Sequence, residues 1–442
     1  LPVIFQNPTE TPPTWESLIN SSSTNDTLVT EKDGEVTKKE FRSKRKILSK
    51  LVLASIFISG LVTGIRYMGW LQFYELRAYD QFMQLRPQED PDSRLLIVEQ
   101  REQDLRNYDY PLPELPNKIL GELIQKIDAH NPAIIGLNLY RYRPVEEPLA
   151  SEFKYNERLI ASCKYKTKGQ EIPPPHEFPN QSYRVGFANL LQDPPGYIRR
   201  YLLSRGNNNM YPNEECKTQH AFGLKVGFRY LQHTMKDIEP NQNARNDWQI
   251  FYKNRKAVFR KLYNHNAGYN NIEDKGNQIL LNYRQTNNIA HKISVTEILQ
   301  GDFDPKLIKN KAVLIGSIAP SSSDDLNKFT PLGKMPGIYI EAHAVSQIIS
   351  AVKDQRPTIS WLPYWVDTLL MVAWSLAGGG LVWLLGGNGR NLLLSLSLSL
   401  IALYAMYFVG FLQGIWLPLL PSILAFAIAA IYFFIQSQKS RL

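Results

Sequence analysis

The sequence predicts an α/β domain lying outside the cytoplasm, with a mixed, partly parallel sheet, plus four transmembrane helices. Three observations predict it. Three apolar runs crowd the C-terminal end, at about residues 364–385, 391–412 and 415–435. Each is close to the ~20 apolar residues that a helix needs to cross a bilayer. A fourth run, Leu51–Tyr74, lies far upstream, behind a dense basic block at Lys38–Lys46. Between the two regions, short apolar runs alternate with helical spacing, the pattern of a strand–helix–strand unit and hence of a parallel sheet.

The chain has 442 residues, enough for two or three domains, and 44% of them are hydrophobic, an average that hides the apolar C-terminal fifth. The net charge of +9 is concentrated beside the first apolar run. That is where juxtamembrane charge belongs, so it argues for a lipid bilayer as a partner and against nucleic acid. The two cysteines, Cys163 and Cys216, make no C-x-x-C pair, and no metal site is expected from them. They form one disulfide if this region meets an oxidising compartment, or remain two thiols if it does not.

In chain order, residues 1–16 read as the end of an upstream domain, and residues 17–46, rich in Ser, Thr, Asn, Glu and Lys, as a flexible basic linker. The first transmembrane region is assigned to 47–74. Arg66 interrupts its apolar run and is expected to snorkel to the interface beside Tyr67, Trp70 and Tyr74. A helix over Leu76–Leu85 follows, continuing the membrane helix. Arg94–Glu99 and Ala133–Tyr140 read as buried strands, with a helix at Leu115–Ala129 between them. Residues 164–182 read as a loop, Val185–Leu190 as a strand and Thr218–Gln232 as a helix. The polar stretch 233–277 reads as a surface insertion. Gln278–Tyr283 and Ala312–Ile315 read as strands. Ser294–Gln300 reads as a short helix, with Ser294 and Glu297 forming a capping box. Ile338–Ser350 is the last helix before the three closing spans in 359–442.

Charge sets the expected topology. Eight Lys or Arg residues lie between Lys32 and Lys50, which places the N-terminus in the cytoplasm. Four spans return the C-terminus there, consistent with Arg390 between the second and third spans and with Lys439 and Arg441 after the last. Residues 75–358 then form the extracytoplasmic domain. The membrane is taken to be the inner (plasma) membrane.

The residues also carry a resemblance. ELRAYDQFMQLRP (75–87), RLLIVEQREQDL (94–105), AIIGLNLYR (133–141), VGFANLLQDPPGYIRR (185–200), QILLNYR (278–284), KAVLIGSIAPSSSDDLNKFTPL (311–332) and MPGIYIEAHAVSQI (335–348) resemble, in order, the type 2 CHASE domain. This is an extracellular sensory module of bacterial membrane receptors, and the three C-terminal spans resemble those of the same family. Many relatives carry Asp where this chain has Asn138, so a carboxylate role at that position is lost. The opening LPVIFQNPTETPPTW resembles the end of a CHAT domain, a caspase-like peptidase fold that in cyanobacterial proteins precedes such a module.

Candidate ligand-binding residues follow from position. Gly316–Asp325 is a polar loop at the carboxyl end of a buried strand, where ligands bind in open α/β sheets; Ser317, Asp324 and Asp325 are its polar contacts. Glu99 closes another strand and is a candidate for the same crevice, while Asp92, Glu99 and Asp104 otherwise read as solvated loop charge; Asn138 is a candidate only through the resemblance. Glu341-x-His343 reads as buried helix residues rather than half a metal site, with His343 kept among the ligand candidates. Asp367, the only acidic residue of the spans, is expected at headgroup level. Gly378–Gly380 signals close helix packing. The sequence lacks a G-x-S-x-G, Walker A or G-x-G-x-x-G motif. No catalytic residue, cofactor or enzymatic activity is therefore expected of this portion. The leading functional expectation is a membrane-bound sensory receptor for an unknown extracytoplasmic ligand, signalling to an N-terminal cytoplasmic domain, with a homodimer as a further expectation. The alternative is an anchor or scaffold that assembles envelope proteins without sensing.

Overall fold

A computed structural model describes residues 45–108, 114–141, 143–167, 170–178, 181–206, 214–243, 245–270, 272–273, 275–322 and 327–439. The expected upstream domain end at 1–16 and all but the last two residues of the expected linker at 17–46 lie outside the described residues.

The first span, α1 (Arg45–Tyr67), starts and ends earlier than its hydropathy predicts. Gly69, in the left-handed region at φ 82°, breaks the chain direction, so α2 (Gln72–Gln84) is a separate helix rather than a continuation. The core then opens with β1 (Leu95–Gln100), every residue of which is buried, as a parallel strand covered on both faces must be. After the short α3 (Glu102–Arg106), α4 (Asn117–Ala129) buries Leu120, Leu123, Ile124 and Ile127, one stripe at helical spacing. Next come β2 (Ile134–Asn138), α5 (Leu149–Tyr155) and β3 (Leu159–Thr167).

Beyond β3 lie β4 (Gln170–Ile172), α6 (Gln181–Arg184), β5 (Val185–Phe187), β6 (Leu191–Asp193) and β7 (Tyr197–Ser204). The loop expected at 164–182 is thus partly a hairpin, β3 pairing antiparallel with β4. Helix α7 (Phe222–Thr234) starts four residues later than expected, because Ala221 is still extended. The expected surface insertion is ordered: β8 (Ile238–Gln242), β9 (Trp248–Tyr252) and β10 (Arg255–Phe259) form a three-stranded antiparallel sheet. Its anchors are the buried Ile250, Ala257 and Phe259, too few to stand out in so polar a stretch.

The remaining elements are β11 (Asn277–Leu280), β12 (His291–Ser294), α8 (Val295–Gln300), β13 (Ala312–Ser317), β14 (Lys328–Thr330), β15 (Gly333–Met335) and α9 (Gly337–Lys353). Ser294 caps α8 as its pattern predicts: its side chain accepts from the Glu297 N–H, and the Glu297 carboxylate accepts from the Ser294 N–H. After β16 (Ser360–Trp361) come α10 (Tyr364–Leu385), α11 (Gly389–Leu412), β17 (Ile415–Trp416) and α12 (Leu419–Lys439). The last span begins at Leu419 because Ile415 and Trp416 pair with Ser360 and Trp361 instead of joining the helix.

The main sheet runs β12-β1-β13-β2-β3-β4, with β5 on β3, and all of these pairs except β3–β4 are parallel. Packing contacts join α4 to α5 and α8, and separately α7 to α9, so helices cover both faces of the sheet. A second, five-stranded sheet runs β11-β7-β14-β15, with β6 on β7. Cys163 on β3 and Cys216 form one disulfide, with Cα atoms 5.8 Å apart.

The chain divides into two compact units. The larger holds residues 62–370 and 397–423. In it, Tyr79 and Phe82 of α2 pack on Phe411 at centroid distances of 5.4 and 5.5 Å, and Tyr79 also meets Trp416 at 4.9 Å. The smaller unit holds the rest of the spans. There Gly378 lies against Phe426 and Gly379 against Leu51 and Phe433; an added Cβ would come within 2.3 and 2.7 Å of these neighbours. The glycines at 378 and 379 therefore permit the close helix approach that the sequence signals. Among the described residues, four helices, α1, α10, α11 and α12, are long and apolar enough to cross a membrane, the make-up of a multi-pass membrane protein.

Candidate functional site

Parallel register brings three strand ends together. Glu99 of β1 lies opposite Gly316 of β13, and Gly316 lies opposite Asn138 of β2. One position further, Gln100 pairs with Ser317. Thus Glu99, Asn138 and Ser317, predicted separately, do meet at the carboxyl edge of the sheet. Gly316 makes this possible. A Cβ there would stand 2.5 Å from Ile338, where α9 crosses the strand end.

Each polar group has a distinct environment. Glu99 is buried; its carboxylate accepts from Arg101 Nε at 2.9 Å and from the Tyr339 hydroxyl at 2.5 Å. Lys292 of β12 lies over the Tyr339 ring, 4.1 Å from its centroid. The Gln100 amide donates to Ser317 Oγ at 3.2 Å and to Ser322 Oγ at 3.0 Å, and the two hydroxyls are 2.5 Å apart. Two acceptors remain: among the described residues, Gln100 Oε1 and Asn138 Oδ1 are buried without a hydrogen-bond partner. They stand two strands apart and one register position off, so their side chains leave opposite faces of the sheet. A buried carbonyl oxygen left so costs about 1–3 kcal/mol. Each is suited to a ligand group that donates an N–H or O–H.

Other predicted residues lie elsewhere. Asp324 and Asp325 fall outside the described residues. His343 sits within α9, buried, its Nδ1 accepting the Arg284 N–H at 3.3 Å and its ring edge-on to Tyr283. Burial, reinforced by Arg356 and Arg284, pushes the His343 imidazole down to about 3. Glu341 accepts from the Tyr201 hydroxyl at 2.5 Å. Asp92 and Asp104 are not solvated loop charge: both are buried. Asp92 holds Arg94 and Ser346, and Asp104 takes the Arg101 N–H and the Thr296 hydroxyl. Sequence reasoning missed Gln100, Tyr339 and Ser322. Gln100 closes the strand's apolar run, and Ser322 lies inside the Gly316–Asp325 loop but outside its named contacts; neither carries a charge signal.

A second constellation was legible only in parts. Arg66 and Asp367 are both buried within the protein and paired with each other. Arg66 Nε donates to both Glu75 oxygens at 3.1 Å, and its NH1 donates to Asp367 Oδ2 at 2.7 Å. One guanidinium thereby joins α1, α2 and α10. Tyr364 lies beneath it, 5.5 Å from its centre. The reason is geometric: the turn at Gly69 folds α2 back, which brings Glu75 to the end of α1. Burial pushes the Glu75 carboxyl up, against the pull of Arg66. The signal in the sequence was a cation in one span and an acid in another.

The CHASE2 domain family matches residues 57–380, nearly three quarters of the chain, and the chain belongs to that family. CHASE2 domains are extracellular sensory domains. No curated protein matches the chain, and no solved structure does.

Proposed function

We propose that this protein is a membrane-bound sensory receptor. Its α/β domain lies outside the cytoplasm and takes a ligand at the crevice formed by Glu99, Gln100, Asn138 and Ser317. Binding is passed through the membrane to a cytoplasmic domain on the N-terminal side, in keeping with the resemblance of residues 1–16 to the end of a CHAT domain. The Cys163–Cys216 disulfide supports an oxidising, extracytoplasmic setting for the domain. The basic block before α1 supports a cytoplasmic N-terminus in the plasma membrane.

The observation that carries the reading is the ion triad. Arg66, Glu75 and Asp367 tie the first span, the helix leading into the domain and the second span into one buried joint. Moving any of the three elements strains the ion pairs, which are costly to break where no water replaces them. Displacement of the domain is therefore shared by α1, whose other end faces the linker at 17–46.

Limited proteolysis in inside-out membrane vesicles tests this. Cleavage within the basic block Lys38–Lys46 is compared between the full chain and its Arg66→Gln variant. A changed cleavage rate is expected. Equal rates, with both proteins inserted and folded, would leave an anchor or scaffold as the better account.

A further inference from the structure

Helix α2 lies beside a span rather than beyond its end. Its Phe82 ring meets Tyr404, Phe408 and Phe411 of α11 at centroid distances of 5.3, 5.5 and 5.5 Å. Those three positions share one helical face, so Phe82 sits along the side of α11. α11 is about 36 Å long against a hydrocarbon core of about 30 Å, so a centred span projects by about 3 Å at each end. Tyr404 stands about 12 Å of helix before the end at Leu412, and Phe408 about 6 Å. Both therefore lie within the leaflet. The other end of α2 is tied to the same region. Its Glu75 is held by Arg66, which is bonded in turn to Asp367 in the first turn of α10.

The opposite face of α2 carries a different set of residues. Trp70, in the turn before the helix, is 69% exposed, Phe73 51% and Tyr74 58%. Arg77 and Gln81 continue this stripe at helical spacing and are exposed too. The Phe73 ring meets Tyr74 edge-on at 5.3 Å, and the Arg77 guanidinium lies over Phe73, 5.2 Å from its centroid. The next acid along the helix, Asp80, turns inward and is taken by Arg199. Aromatic rings with a long cation beside them are the set found where membrane meets water: the rings sit at headgroup level and the cation extends to the polar layer. In water the same rings would form an exposed apolar patch. The neighbourhood of α11 decides between the two. Its own outward residues beside α2, Ile401 and Val409, are exposed apolar groups, as on a lipid-facing span.

We propose that α2 is an interfacial helix lying in the plane of the bilayer, in the leaflet nearest the domain, and that the partner of its exposed face is the glycerophospholipid surface. Trp70, Phe73 and Tyr74 enter the boundary between headgroups and acyl chains, and Arg77 reaches the phosphates. The inference goes beyond the receptor reading above. It depends neither on that reading nor on which side of the membrane the domain lies. Glu75 lies on the buried side of the same helix, so the leaflet holds one arm of the Arg66 joint.

The test uses the full chain in nanodiscs of mixed phosphatidylcholine and phosphatidylglycerol. Both native cysteines are in the disulfide, so a thiol-specific nitroxide labels only an added cysteine. Labels are placed through Phe73→Cys, Tyr74→Cys and Arg77→Cys. Ile401→Cys on α11 and Tyr155→Cys on α5, at positions 65% and 68% exposed, supply the lipid and water references. Power saturation compares collisions with oxygen, which concentrates in lipid, and with a neutral nickel chelate, which stays in water. Oxygen is expected to dominate at Phe73 and Tyr74, as at Ile401, with Arg77 between the two references. Nickel dominance at Phe73 and Tyr74, as at Tyr155, would overturn the proposal. So would an immobilised spectrum with few collisions of either kind, since that places protein, a second copy included, on this face. Nickel dominance at Ile401 would remove the premise that α11 meets lipid, and the proposal with it. If Phe73→Cys lowers the melting temperature, Tyr74→Cys alone carries the comparison.

Discussion

Arg66 and Asp367 are 301 residues apart in the chain and joined by a 2.7 Å hydrogen bond between buried groups. With Glu75 they form a site of one cation and two acids. Removing the cation leaves two carboxylates facing each other out of water. Arg66→Met is therefore expected to destabilise the protein by about 3–5 kcal/mol. Glu75→Gln keeps one full ion pair and removes the excess negative charge, so its effect should be much smaller. Thermal melting in detergent compares them. A smaller loss for Arg66→Met than for Glu75→Gln would refute this account of the joint.

At the strand-end crevice, Tyr339 and Asn138 should behave oppositely. Tyr339→Phe takes a hydrogen bond from the buried Glu99 carboxylate, and a loss of about 1–3 kcal/mol is expected. Asn138→Leu removes an acceptor that has no partner among the described residues, so stability should hold or rise. If the crevice is the ligand site, the same Leu variant should lose response to stimulus while remaining well folded. Melting temperature and output, measured together, separate the two effects.

The pH dependence of stability should carry the signature of His343. In the unfolded chain an imidazole takes its proton near pH 6.5, whereas the folded His343 takes it only at about 3. Its contribution is fully present above about pH 6.5 and is lost as pH falls toward 3, by about 1 kcal/mol per unit. His343→Asn keeps an acceptor for the Arg284 N–H and does not titrate. Subtracting its denaturation curve from that of the parent between pH 6.5 and 4.5 isolates the effect. It also removes the contributions of Glu75 and Asp80, whose carboxyls burial pushes up and which act in the opposite sense. A difference that does not change over this range would rule the assignment out.

The disulfide closes a sequence separation of 53 residues. In the chain-entropy account, that restriction of the unfolded state is worth about 4 kcal/mol, and typical losses are about 2–4. Cys163→Ser with Cys216→Ser should lower the melting temperature, and added reductant should lower the parent's but not the variant's.

The parts of the fold that could be read in the sequence are those where one local rule governs. β1, β2 and β13 announce themselves as apolar runs because a parallel strand is covered on both faces. The Ser294–Glu297 capping box names its helix start without help from tertiary structure. The span Tyr364–Leu385 needs only its own length and hydropathy. What escaped depended on distant partners. β8 to β10 rest on Ile250, Ala257 and Phe259 among charged residues, and only pairing between the strands makes them a sheet. Arg66 resembled an interfacial anchor because Glu75 becomes its neighbour only through the turn at Gly69. The candidate site divides in the same way. Glu99 and Ser317 follow from their places at strand ends and Asn138 from the resemblance, while Tyr339 arrives from a helix 240 residues later.

The packing of Tyr79 and Phe82 bears on how the domain can be handled as a reagent. Excision at 75–358 would discard Trp361, Phe411 and Trp416. It would remove β16 along with its partner β17, and strip the aromatic cover from α2. The freed surface of α2 would be adhesive in water, and a truncated preparation would be expected to aggregate. A water-soluble fragment for crystallisation calls for polar replacements at Tyr79 and Phe82, or a graft of the 411–416 turn onto the cut end.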